Sequence, residues 1–243
     1  MRVDAILFPR DLSEYDLRST QVVVVDIFRA TSTIITAVHN GAKEVVPFKE
    51  TDEVEEKALH YPADQVLKCG ERNGYKFSGF DLGNSPLEYN RDCIYNKTIL
   101  FSSTNGSQLF SKVKSARKVI IGGFLNVERV VNSIVQNKHD CLIACAGNYG
   151  KISIEDSVYT GMILALLKKN GVITEMNDEA RVSLILYQYY QDDFQSIIRE
   201  SSHGRHLSSI GKEDDMLYCL QVNTVDCLPE FDGLTILKST VES

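Results

Sequence analysis

Val22-Val23-Val24-Val25-Asp26-Ile27-Phe28-Arg29-Ala30-Thr31-Ser32 is the stretch on which the fold turns. Four consecutive valines make an apolar run without polar alternation, the pattern of a strand covered on both faces. The run ends at a carboxylate. A helix is expected over 31–40, with Ile34, Ile35 and Val38 at near-helical spacing and Gly41 as its stop. A buried strand, a polar loop and a helix start, in that order, direct free backbone N–H groups at one point and suit a phosphate or sulfonate.

Working outward, two further loops have the same make-up: Gly79-Phe80-Asp81-Leu82-Gly83-Asn84-Ser85-Pro86 and Ser102-Ser103-Thr104-Asn105-Gly106-Ser107. Strand-like runs at 3–8, 44–48, 65–69, 98–101, 118–121 and 141–145 alternate with helical patterns at 52–59, 105–113, 126–136 and 154–168. Beyond Glu179 the pattern is mostly helical to about Leu220, and two late runs, 225–228 and 234–237, are expected to add edge strands. This alternation predicts an α/β protein: three α/β/α layers, a mixed, largely parallel β-sheet and a helical C-terminal part. Ligands then bind where strand C-termini meet helix N-termini. No Gly/Ser-rich or single-charge linker divides the chain, so one domain over 1–243 is expected.

The chain has 243 residues, 43% of them hydrophobic, and a net charge of -7. An acidic chain argues against nucleic acid, which needs a basic face, but allows an anionic small molecule if arginines or a bound cation focus positive potential in a cleft. The six cysteines form no C-x-x-C pair, and Cys141 and Cys145 lie in an apolar run, so they read as reduced core thiols rather than zinc ligands. The first residues carry an acid and no long apolar region, and no run approaches the length of a membrane span. A cytoplasmic protein with no membrane partner is expected; the oligomeric state stays open, a homodimer being one option.

Asp26, where a strand runs out, would face a cleft as a Mg²⁺ ligand or a nucleophile, or would simply cap the next turn. Arg29 favours the first two, because a guanidinium fork binds phosphate oxygens in pairs. Phe28 occupies the position where a haloacid-dehalogenase phosphatase needs its second Asp, which argues against that superfamily. Thr31 and Ser32 add hydroxyls. Gly70-Glu71-Arg72 again sets an acid beside a base after a strand, and Asp81, Asn84 and Ser85 lie in a long loop of the kind that tends to be functional. Thr104, Asn105 and Gly106 form a cap-and-turn unit. Glu155 and Asp156 open a long helix as ordinary dipole partners or as part of a magnesium shell. Ser201-Ser202-His203-Gly204-Arg205-His206 reads as a polar helix start in preference to a substrate clamp.

These segments resemble, in the same order, the 2-phosphosulfolactate phosphatase family. The likeness rests on Asp26-Ile-Phe-Arg29-Ala-Thr31-Ser32-Thr33, Gly70-Glu71-Arg72, Gly79-Phe-Asp81-Leu-Gly83-Asn84-Ser85-Pro86 and Thr104-Asn105-Gly106. Gly123-Phe-Leu-Asn126, Cys145-Ala-Gly147 and Glu155-Asp156 support it. The resemblance implies a Mg²⁺-dependent phosphatase that converts 2-phospho-3-sulfolactate to 3-sulfolactate and phosphate, a step of coenzyme M biosynthesis in methanogens. It implies Mg²⁺ held by Asp26, Asp81 and Glu71 or Asp156. Arg29, Arg72 and the loop amides around Thr31 and Asn105, with Asn84, Ser85 and Thr104 beside them, would then grip the phosphate, sulfonate and carboxylate. Two alternatives are a phosphatase for another small phosphorylated hydroxy acid, and a non-catalytic binder of phosphorylated ligands. Acids beside the anion loops favour the enzyme, since a binder gains nothing from repelling its ligand.

Overall fold

The computed structural model describes residues 1–9, 12 and 14–239. Ten strands are named in chain order: β1 (Val3–Ile6), β2 (Gln21–Val25), β3 (Glu44–Phe48), β4 (Val66–Arg72), β5 (Tyr75–Lys76), β6 (Thr98–Ser102), β7 (Lys118–Gly122), β8 (Cys141–Cys145), β9 (Pro229–Phe231) and β10 (Ile236–Lys238). The helices are α1 (Ala30–His39), α2 (Thr51–Ala58), α3 (Arg91–Ile94), α4 (Gly106–Val113), α5 (Val127–Asn137), α6 (Ile154–Lys169), α7 (Asp178–Tyr190), α8 (Phe194–Arg199), α9 (Ser202–Ser209) and α10 (Glu213–Cys219).

The sheet order is β1-β8-β2-β7-β9-β10-β3-β6-β4-β5. Strands β1, β8, β2 and β7 run parallel, as do β3, β6 and β4, and β9 and β10 join the two blocks through antiparallel pairings. The mixed, mostly parallel α/β sheet is the one expected. The late strands correct the sequence reading: they are central, not edge strands, and the first forms at Pro229–Phe231, just past the expected run 225–228. Their shortness, three residues each, conceals this in the sequence, because a three-residue run carries little periodic signal.

Alternation along the buried strands separates the two faces. Val22 and Val24 pack with Ile34, Ile35 and Val38 of α1 and Leu109 and Phe110 of α4. Val23 and Val25 pack with Val130 and Ile134 of α5 and Tyr159 and Ile163 of α6. A strand without polar positions is therefore the correct sequence for the middle layer of three. Gly161 lets α6 and α7 touch backbone to backbone, since a β-carbon there would lie 2.1 Å from the Ser183 carbonyl oxygen. All six cysteines are free thiols, five of them buried. Among the described residues no helix is long and apolar enough to cross a membrane.

The two parallel blocks run in opposite directions, so in a flat sheet the C-terminal ends of β2 and β6 would lie on opposite rims and about 24 Å apart at ordinary strand spacing. Instead, a β-carbon on Gly106, four residues past β6, would sit 2.7 Å from Oδ2 of Asp26, which follows β2 directly. The loops that follow β2 and β6 therefore converge despite the places of the two strands in the sheet.

Candidate active site

Asp26 is buried directly after β2, with its carboxylate near the Ala30 backbone N–H at the start of α1. Gly106 opens α4 against the same carboxylate; with a side chain it would also meet the Ala30 β-carbon at 3.0 Å. Glycine here is a close-approach requirement. Burial, then the charges of Glu71 and Glu155, push the Asp26 carboxyl up to about 7, against the opposing pull of His203 and the Ala30 N–H.

A second buried acid, Asp156, fastens this loop to its neighbour. Its Oδ1 accepts the Ile27 N–H at 2.9 Å and its Oδ2 the Gly147 N–H at 3.1 Å, so the first turn of α6 clamps the ends of β2 and β8 together. Burial, with Glu155 and Asp26 nearby, raises its carboxyl well above the ordinary value.

Next to these acids lies a small cleft open to solvent, with Arg29, Glu71, Asn84, Thr104, Asn105 and His203 on its walls. Arg29 is buried. One guanidinium nitrogen pairs with Asp215 of α10 and the other donates to the Gly74 carbonyl at 3.0 Å, so two elements fix its plane. A guanidinium has five N–H groups, and those left over serve the cleft. Glu71 accepts the N–H groups of Thr104 at 2.9 Å and Gly74 at 2.7 Å, tying the β4–β5 turn to the loop before α4.

The mouth is laced by the Tyr149 hydroxyl, which donates to Asn73 Oδ1 at 2.7 Å, and by the Tyr149 N–H, which donates to Asn105 Oδ1 at 3.2 Å. On the far wall His203 Nδ1 lies 2.6 Å from Oε1 of the buried Glu155, and its ring meets Phe28 edge-on. Burial alone would lower the His203 pKa, but the hydrogen bond and charge of Glu155, helped by Asp26, outweigh it and leave it above the ordinary histidine value.

Several expected contacts fall elsewhere. The Thr31 hydroxyl donates to the Asp26 carbonyl at 2.9 Å, the Thr31 N–H goes to the same oxygen at 2.9 Å, and the Ser32 hydroxyl donates to the Ile27 carbonyl at 3.0 Å. These groups hold their own loop. The Ser85 hydroxyl is taken by Asp215, so it supports Arg29 from behind. Arg72 points off the opposite face of β4 from Glu71, over the Phe77 ring and 3.9 Å from Glu50, as strand alternation requires. Asp81 is exposed and accepts the Lys68 N–H at 2.8 Å, which makes it a brace on β4 and no part of the cleft. Asp215 and Tyr149 were not singled out in the sequence. Asp215 lies 186 positions from Arg29, and no local pattern marks so distant a partner.

The sequence profile of the 2-phosphosulpholactate phosphatase family matches residues 6–233. The chain belongs to this family. A probable 2-phosphosulfolactate phosphatase of Caldanaerobacter subterraneus subsp. tengcongensis is 41% identical over 219 residues, covering 90% of each chain. One from Thermotoga petrophila is 38% identical over 97% of this chain and 98% of the relative, and one from Clostridium botulinum is 34% identical over 98% and 100%.

Membership in the 2-phosphosulpholactate phosphatase family makes the chain a phosphomonoester hydrolase acting on a small anionic substrate. It also sharpens the question of magnesium. Among the described residues no three His, Cys, Asp or Glu side chains are grouped to hold a metal ion. The four-carboxylate set does not form a cage: Asp81 is outside, while Glu71 and Asp156 each have both oxygens on N–H groups. Asp26 remains, with orphaned acceptors nearby in the buried Asn84 Oδ1 and Glu155 Oε2.

Proposed function

We propose that this phosphatase hydrolyses 2-phospho-3-sulfolactate to 3-sulfolactate and inorganic phosphate, and that Asp26 is the protein's carboxylate contact to a Mg²⁺ ion. The supporting observation is the meeting of Arg29, Asn84 and Asn105, carried by three loops far apart in sequence, at one cleft, with Asp26 buried against Gly106 in the same two loops that carry Arg29 and Asn105. The substrate class comes from the names of the relatives. A molecule bearing phosphate, sulfonate and carboxylate enters a cleft lined by Glu71, whose charge and that of Glu155 also act on the buried Asp26, and like charges repel unless a cation intervenes. Mg²⁺ commonly keeps several waters and takes one or two carboxylates plus phosphate oxygens, a donor set that Asp26 and the substrate would meet. When bound, the ion would draw charge off the phosphoryl oxygens.

The chain's own residues then divide the work. Arg29, held in plane by Asp215 and Gly74, orients an oxyanion by paired N–H groups. The Asn84 and Asn105 side chains border the remaining anionic groups, and the Tyr149–Asn73 bridge limits access of bulk water. Asp26 faces the phosphorus either as nucleophile or beside an attacking water, and a single turnover in ¹⁸O water separates these by whether label enters Asp26.

The test is phosphate release from a panel of phosphorylated hydroxy acids, with and without EDTA. The expected result is the highest kcat/KM for phosphosulfolactate and loss of turnover on chelation. A faster reaction with another hydroxy acid ester overturns the substrate assignment, and full activity in EDTA removes the metal.

A further inference from the structure

We propose that His203 is the general acid of the hydrolysis, its Nε2 giving a proton to the ester oxygen that leaves phosphorus. This rests on the phosphomonoester reading above and adds a residue to it. The step balances simply: the oxygen of water bonds to phosphorus, the ester P–O bond breaks, and the His203 proton neutralises the leaving alkoxide. The second proton of water passes through solvent to restore the imidazolium.

Three observations carry the assignment. His203 stands on the first turn of α9, whose start is fixed by Ser201 accepting the Gly204 N–H at 2.9 Å, and its ring lines the cleft. Its Nδ1 is engaged by Glu155 and its ring plane is set by Phe28 at 5.6 Å between centroids, so Nε2 is the nitrogen left for a ligand. Glu155 is 1% exposed, and among the described residues the His203 imidazole is the partner its side chain has, at Oε1.

The chemistry requires such a group. A hydroxy acid leaves as a poor alkoxide unless protonated, and a positioned acid contributes typically 10²–10⁴-fold. Arg29 cannot release a proton. His206, one turn on, is exposed and has no carboxylate to orient it among the described contacts. The groups facing His203 are Glu155 of α6, Asp26 after β2, Arg29 before α1 and, across the cleft, Glu71 of β4 and His206 of its own helix.

The experiment compares His203→Gln and Glu155→Gln with wild type on two esters: the alkyl phosphate that the wild type turns over best, and p-nitrophenyl phosphate, whose leaving group needs no proton. The expected losses for His203→Gln are about 10²–10⁴-fold in kcat/KM on the alkyl ester and less than about tenfold on the aryl ester. The basic limb of the alkyl-ester pH profile should flatten in His203→Gln and move to lower pH in Glu155→Gln. Equal losses on both esters, or an unchanged basic limb in His203→Gln, overturn the assignment while leaving the phosphatase reading intact. A wild type that releases phosphate from no alkyl ester overturns both.

Discussion

At Asp26 a single carboxylate is costly to the fold and useful to the chemistry. Its pKa of about 7 against 3.8 in an ordinary aspartate means that the folded state binds the proton more tightly than the unfolded chain does. The sign follows directly. The contribution to stability is complete below pH 4 and is lost as pH rises through 7. At about 1.4 kcal/mol per unit, the ionised form costs on the order of 4 kcal/mol above that range. Asp26→Asn, a neutral isostere, removes the cost. Chelated protein should therefore show the variant melting above wild type at pH 8, with the difference shrinking towards pH 5. Turnover should fall by about 10²-fold or more, the scale of a lost catalytic group. A wild type whose Tm is flat between pH 5 and 8 would mean that Asp26 is already ionised at pH 5. Gly106→Ala tests the same carboxylate from outside. The added methyl must displace Asp26 or Ala30, so activity should drop at least tenfold while stability falls by about 1–3 kcal/mol.

At the scale of elements, the cleft depends on helices that touch no ligand. α10 supplies Asp215, which pairs with Arg29 and also receives the Ser85 hydroxyl, so one buried acid sets both the arginine and the Asn84 loop. Removing one partner of a buried pair strands the other charge. Asp215→Ala should therefore cost ~3–5 kcal/mol, roughly 6–20 °C in Tm for a chain of this size. It should raise KM as Arg29 loses its orientation; a variant with wild-type Tm and KM would show that Gly74 alone holds the guanidinium. This dependence explains what the sequence could disclose. The loops after β2 and β6 were legible because strand, polar turn and helix follow each other within a dozen residues. Glu71 and Asp156 were legible as site-related acids but not in role, because the N–H groups they accept come from other loops. Asp81 misled because a turn-forming acid and a ligand acid have the same local sequence; only burial separates them. Asp215 and the Glu155–His203 pair join through tertiary contacts alone, with no short-range pattern to find.

For the whole molecule, the decisive feature is the pair of short strands that joins two oppositely directed blocks. β9 pairs with β7 and β10 with β3, and Phe231 and Ile236 insert into the core beside α1 and α4. Without them β2 and β6 would not belong to one sheet, and Asp26 would not be held against Gly106. An edge hairpin could be trimmed at small cost, but this one cannot. Truncation after Leu228 should abolish the cooperative thermal transition, and phosphatase activity with it. The milder Phe231→Ala removes an aromatic ring packed 5.1 Å from Phe110 and should lower stability by ~3–5 kcal/mol. Turnover at low temperature should then persist, because Phe231 lies in the core beside Phe110 and does not line the cleft. A truncated chain that still melts cooperatively near the full-length Tm would mean that the two blocks associate without the hairpin.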